Sequence, residues 1–156
     1  GRLSLPDAVL CIVGGGTYLP TLKQLALEKG IADRVIFTDA VEPSKIPIYY
    51  QIGDVFLSAS QSETQGLTYL EALASGLPLV CRKDPCLDGI VTDGFNGGLY
   101  TSFETFQHWI MQTYHQKQQF TACARQTADQ FSAAAFAEKV ETYYKQILEN
   151  QQIQSA

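Results

Sequence analysis

The sequence predicts an open parallel α/β sheet with helices on both faces, followed by a helical C-terminal segment. Three observations carry this. Short apolar runs at residues 8–13, 55–58 and 79–81 alternate with helix-period segments over the first 100 residues, the pattern of strand–helix–strand units. Glycine and proline punctuate the junctions, at Gly14, Gly15, Gly16, Gly30, Gly76 and Pro78. A chain of 156 residues that is 46% apolar and 17% charged is one globular domain's worth, with material for a core. Right-handed crossovers would place helices on both faces, and ligands of such sheets bind beyond the carboxyl ends of the strands.

Taken in order, residues 8–13 (AVLCIV) are an unbroken apolar run, the mark of a strand buried on both faces of a parallel sheet. After Gly14, Gly15 and Gly16, a helix is predicted over residues 19–29, with Pro20 in its first turn and Gly30 closing it. Strand, glycine loop, helix is a phosphate-binding layout, and equally a turn that makes room for tight packing. The loop lacks G-x-G-x-x-G, so no dinucleotide is predicted. Residues 33–40 give a short strand and its exit loop. Residues 43–51 give a short helix with Pro43 near its start and Ile46, Tyr49 and Tyr50 on its core side.

Asp54 opens the strand at 55–58, and Ser58-Ala59-Ser60 is small enough for a close backbone approach. Residues 79–81 form a short buried strand after Pro78, and a charged loop follows at 82–89. Asp93-Gly94 and Asn96-Gly97-Gly98 are turn signals around a last strand at 98–100. From Phe103 the chain reads as helical. Phe106, Trp109, Ile110, Thr113 and Tyr114 make one apolar stripe, and Phe136, Val140, Tyr143, Tyr144 and Ile147 another; both read by default as core. The glutamine-rich residues 116–119 and 151–154 read as solvated helix surface and a frayed tail.

Residues 60–73 (SQSETQGLTYLEAL) stand out. Glu63 and Glu71 have seven residues between them, with Gly66-Leu67-Thr68 inside that interval. The reading is strand, short loop, helix N-terminus. Leu67, Leu70, Leu73 and Ala74 fall on one face, and Gly76 and Pro78 end the helix. A helix N-terminus after a strand offers free N–H groups and the positive end of the helix dipole, which suit a diphosphate. Glu63 would sit at the loop, and Glu71 about a turn into the helix, where a carboxylate accepts hydrogen bonds from hydroxyls. That pattern suits a nucleotide-sugar, with one carboxylate for each sugar. On spacing alone the two glutamates read as readily as solvated helix surface.

The whole phrase SETQGLTYLEALASGLPLV resembles the E-x7-E signature of retaining family-4 glycosyltransferases of the GT-B fold. Thr64-Gln65-Gly66-Leu67-Thr68 looks most like the bacterial branch that glucosylates diacylglycerol for the glycolipid anchor of lipoteichoic acid. The resemblance runs from Gly1 to about Glu149. It implies that residues 1–156 are a single, Rossmann-like, nucleotide-sugar-binding domain, the C-terminal half of the enzyme, with the N-terminal acceptor domain outside this chain. It implies UDP-glucose as donor and a lipid, diacylglycerol, as acceptor. Carried over by position, Glu71 would accept from the ribose hydroxyls and Glu63 would hold the donor sugar. The Gly66, Leu67 and Thr68 amides, with the Thr68 hydroxyl, would take the diphosphate. Gly14, Gly15 and Gly16 would line the donor cleft, and Arg2 would neutralise the leaving UDP. Glu63 and Arg2 are thus the catalytic candidates.

The chain also departs from the family pattern. No residue matches the lysine that accompanies the turn arginine. Arg82, Lys83 and Asp88 stand where many relatives have a glycine-rich loop ending in glutamate. The turn at GRLS leads directly into residues 5–13, without the helix expected between them. The resemblance implies no metal or other cofactor, since oriented amides and a cation stabilise the departing charge, and the sequence carries no D-x-D motif. It also implies a last helix that braces the N-terminal domain, which would leave part of the stripe from Phe136 to Ile147 exposed. The fragment alone is expected to be inactive.

Charge and composition narrow the partners. The net charge is −5 with no basic run, which argues against nucleic acid and gives no electrostatic pull to a membrane surface. Membrane contact is therefore expected only of the full-length enzyme, peripherally, on the inner face. No apolar stretch approaches the roughly 20 residues needed to span a bilayer, and residues 1–6 have no signal-peptide core. Cys11 and Cys81 lie in apolar strand candidates as small hydrophobes. Cys81 and Cys86 are too loosely spaced for a zinc knuckle, so reduced thiols in a cytoplasmic protein are expected. His108 and His115 read as helix surface. Two other readings are a non-catalytic nucleotide-binding α/β domain, receiver- or flavodoxin-like, and a GT-B sugar-nucleotide epimerase. A receiver needs acidic residues at strand ends, whereas Asp54 starts its strand.

Overall fold

A computed structural model describes Leu5, residues 7–61 and residues 66–154, with the side chains of Glu149 and residues 151–154 left out. Two compact units divide the chain, Gly1–Ile52 and Gly53–Ala156. Among the described residues the named strands all pair parallel: β1 with β2 in the first unit, and β3–β4–β5 in the second. The parallel α/β class read from the sequence is therefore the observed one.

The first unit runs β1 (Leu10–Ile12), α1 (Leu19–Glu28), β2 (Val35–Phe37) and α2 (Ile46–Ile52). Leu10 pairs with Val35 and Ile12 with Phe37. Helix α1 has Pro20 in its first turn and ends as its sequence requires: Gly30, at φ 64°, donates to Leu27 C=O, and Ile31 donates to Ala26 C=O, both at 3.0 Å. The Arg34 guanidinium bonds the carbonyls of Leu5 and Ala8 and so ties down the approach to β1. The expectation of a first strand buried on both faces fails. Val9 is 57% exposed and Leu10 41%, and Cys11 is exposed instead of acting as a core hydrophobe. Two strands with one crossover helix cannot cover both faces; among the described residues of this unit, Ala26 is the fully buried hydrophobic.

The second unit runs β3 (Phe56–Ser58), α3 (Leu67–Ala74), β4 (Leu79–Arg82), β5 (Gly97–Tyr100), α4 (Phe103–His115), α5 (Lys117–Asp129) and α6 (Ala133–Gln154). Strand β4 is central, and its Leu79, Val80 and Cys81 are fully buried, as an apolar run inside a parallel sheet should be. Burial pushes the Cys81 thiol up from 9.0 to about 12. Helix α3 closes on Gly76, at φ 84°, with Gly76 donating to Leu73 C=O and Leu77 to Ala72 C=O, both at 2.9 Å. Its buried face is Tyr69, Ala72 and Leu73. Leu67 and Ala74, expected on the core face, are exposed. Leu67 opens the first turn, before the buried face begins at Tyr69.

Strand β5 begins one residue earlier than read, at Gly97. Its two glycines serve packing: a Cβ at Gly97 would stand 2.0 Å from Leu79 O, and one at Gly98 2.0 Å from Trp109 Cδ2. Trp109 donates from Nε1 to Leu99 C=O at 3.1 Å. Asn96, read as a turn residue, is 1% exposed; its amide donates to Ile90 C=O and Thr127 Oγ1, and its Oδ1 accepts from Thr92 N–H at 2.8 Å. Helix α4 starts on a capping box made by Ser102 and Thr105. Of its predicted stripe, Ile110 and Thr113 are buried, whereas Tyr114 is exposed. The α6 stripe is not core: Phe136, Tyr143 and Tyr144 are exposed, and Val140 and Ile147 half-buried.

Candidate functional site

Because β3, β4 and β5 are parallel, their carboxyl ends, at Ser58, Arg82 and Tyr100, share one edge of the sheet. Helix α3 begins beyond that edge. Gly66 is its N-cap, held in the left-handed region at φ 62° and ψ 22°, and among the described residues no side chain caps the helix. An α-helix leaves its first N–H groups without an i−4 partner, and the dipole makes this end positive. Tyr69 and Leu70 turn their N–H groups back to Gly66 C=O, at 3.0 and 3.3 Å. Leu67 and Thr68 are exposed in the first turn, and Glu71 is exposed one turn further on. A helix start whose first-turn residues are exposed, followed by an exposed carboxylate, can take an anion at the amides and hydroxyls at the carboxylate.

Gly66 is fixed from below. A Cβ there would approach Tyr69 Cδ2 to 3.2 Å and Ile90 Cδ1 to 3.6 Å. Ile90 belongs to the loop after β4, which Asp84 organises as the N-cap of a short 3₁₀ helix, Pro85–Leu87. The Asp84 carboxylate accepts from Cys86 N–H at 2.9 Å, and that backbone bond lowers its pKa. Asp84 thus builds the loop, while Arg82, Lys83 and Asp88 are exposed around it.

The structure thus brings Gly66, Leu67, Thr68 and Glu71 together on one helix start. Glu63 and Arg2 lie outside the described residues. Gly14, Gly15 and Gly16 follow β1 in the first unit. There Gly14 (φ 122°) donates to Thr38 Oγ1 at 3.3 Å, Gly15 packs on Ala40, and Gly16 C=O accepts from Leu19 N–H at 3.1 Å. Much of that loop's hydrogen bonding serves its own turn. Among the described residues, no group of three His, Cys, Asp or Glu side chains is placed to hold a metal ion. No helix there is long and apolar enough to cross a membrane.

Residues that the sequence did not single out complete the edge. Tyr69 is 1% exposed, its ring meets Phe56 edge-on at 5.8 Å, and its hydroxyl lies 3.0 Å from Ser58 Oγ. The only local signal was an aromatic residue three positions after the N-cap glycine.

The family described as "Glycosyl transferases group 1" matches residues 2–128. The chain is 48% identical over 91 residues to an alpha-monoglucosyldiacylglycerol synthase of Streptococcus pneumoniae, covering 58% of this chain and 21% of that protein. It is 42% identical over 101 residues to the synthase of the same name from Acholeplasma laidlawii, covering 65% and 25%. The chain thus spans no more than a quarter of the length of these relatives. Among solved structures, a pneumococcal O-GlcNAc transferase in complex with UDP and GlcNAc superposes with a TM-score of 0.76 at 28% identity, covering 92% of this chain and 30% of that one.

Proposed function

The chain belongs to the group 1 glycosyl transferases, and from that premise we propose that it is the donor-binding portion of an enzyme that moves glucose from UDP-glucose to diacylglycerol. The observation that carries the reading is the α3 start: a left-handed glycine cap at the carboxyl edge of a parallel sheet, with Leu67 and Thr68 exposed in the first turn and Glu71 exposed one turn on. In this reading the Leu67 and Thr68 amides and the Thr68 hydroxyl take the diphosphate, and Glu71 accepts from the ribose hydroxyls. Glu63 holds the glucose, and Arg2 neutralises UDP as it leaves. Oriented amides and one cation meet the charge that develops on the leaving diphosphate, so the reaction needs no metal ion; retention at the sugar is what the family resemblance implies. The names of the two relatives support the glucose and the lipid, and the UDP complex supports the base.

The acceptor would be held by parts of the enzyme outside these residues, which also make the peripheral contact with the inner face of the membrane. The expected result with radiolabelled UDP-glucose and diacylglycerol micelles is therefore no transfer by the 156-residue chain, and transfer to the lipid by a protein of the relatives' full length. Transfer by the chain alone would overturn the division of labour. A product that is an isomerised nucleotide-sugar would make the protein an epimerase.

A further inference from the structure

Two tyrosine hydroxyls from different elements converge on Ser58, the last residue of β3. Tyr69, the third residue of α3, places its hydroxyl 3.0 Å from Ser58 Oγ. Tyr100, the last residue of β5, donates to Ser58 C=O at 3.2 Å, and Ser60 N–H donates to Ser58 Oγ at 3.2 Å. Both tyrosine bonds are partly buried, and burial pushes the Tyr100 hydroxyl above its ordinary pKa, so it stays protonated as a donor.

The ring of Tyr69 also meets Phe56 edge-on, a contact that favours an orientation but yields to small slides more readily than a hydrogen bond does. A hydrogen bond fixes the distance and the angle. Tyr69 follows the exposed first-turn residues Leu67 and Thr68 directly, so its tie to Ser58 sets where their amides stand at the sheet edge. The Tyr100 bond holds the strand end to which Tyr69 is tied.

We propose that Tyr69 is a positioning residue. Held by Ser58, which Tyr100 fixes in turn, its hydroxyl aligns the first-turn amides of α3 on a nucleoside diphosphate. The proposal rests on the donor-binding reading given above. It also separates two parts of one ligand: the diphosphate should sense the Tyr69 hydroxyl, and the nucleoside should not.

The test is a ligand-observed NMR titration of the full chain with UDP and, separately, with uridine. The proteins are the unmodified chain, Tyr69→Phe, Ser58→Ala and the double variant. Tyr69→Phe is expected to keep the Phe56 packing, to raise the UDP dissociation constant about tenfold, and to leave that of uridine unchanged. Ser58→Ala should give at least that loss, since it also removes the bond from Ser60 N–H, and the double variant no more than Ser58→Ala alone, since both single changes break the Tyr69–Ser58 bond. Should Tyr69→Phe not fold, Ser58→Ala carries the test, with Ser58→Thr, which keeps a hydroxyl, expected to bind UDP as the unmodified chain does. Equal losses for UDP and uridine, additive losses, or unchanged UDP affinity would overturn the proposal while leaving the donor-binding reading standing. If the unmodified chain binds neither ligand, both are overturned.

Discussion

Gly97→Ala is expected to destabilise the chain by at least about 3 kcal/mol, a fall in Tm of roughly 6–12 °C for a domain of this size. The new Cβ would stand 2.0 Å from Leu79 O and 2.8 Å from Leu79 N. Neither atom is the end of a flexible side chain. Leu79 opens the central strand, faces Gly97 across the β4–β5 ladder, and donates from its N–H to Asn96 C=O at 3.1 Å. Relief therefore requires β4 and β5 to part where the sheet is most deeply buried. Gly98→Ala meets a side chain instead, Trp109 at 2.0 Å. The indole can be displaced, at the cost of its bond to Leu99 C=O and of its half-buried packing. Thermal unfolding of the two variants should rank Gly97→Ala as the more damaging. A Gly97→Ala protein that melts with the unmodified chain would show that the register at Gly97 is not as described.

Gly66→Ala is expected to lose about 2–3 kcal/mol and most of the affinity for a diphosphate. Gly30→Ala should lose only about 1–2 kcal/mol, the left-handed strain of a non-glycine residue. The two glycines share a backbone conformation, at φ 62° and φ 64°, but not their surroundings. A Cβ on Gly30 meets nothing within 4 Å, whereas one on Gly66 meets the buried Tyr69 ring at 3.2 Å and Ile90 at 3.6 Å. The difference between the variants in urea unfolding thus isolates packing under the cap from strain within it. Shifting Tyr69 also moves the first turn that presents Leu67 and Thr68, so UDP binding should suffer in Gly66→Ala and not in Gly30→Ala. Equal losses of stability in the two would mean that Gly66 is held by its backbone angle alone.

What the sequence made legible was local. Gly30 and Gly76 ended α1 and α3 where a left-handed residue was needed, because helix stops depend on the few residues around them. The apolar run at β4 read correctly as a buried strand because it has strand neighbours on both sides. The similar run at residues 8–13 did not, because burial depends on what covers a strand, and β1 has one strand partner among the described residues. Asn96, Gly97 and Gly98 looked like a turn. Their roles depend on Thr127, Leu79 and Trp109, two of them well removed in sequence, and no local pattern records such partners. Likewise the helix of residues 67–74 was legible from its apolar spacing and its stop at Gly76, while the bond between Tyr69 and Ser58, which fastens it to the sheet, joins two elements and leaves no local pattern.

The most direct test of the donor-binding account is the thermal stability of the chain with UDP, UDP-glucose, GDP and ADP, each compared with Glu71→Ala. A ligand at about 100 times its dissociation constant stabilises by about 2.7 kcal/mol, or roughly 5–11 °C at this size. The account predicts such a rise with the two uridine nucleotides, little with GDP or ADP, and its loss in Glu71→Ala. No rise with any nucleotide, or the same rise in Glu71→Ala as in the unmodified chain, would contradict it.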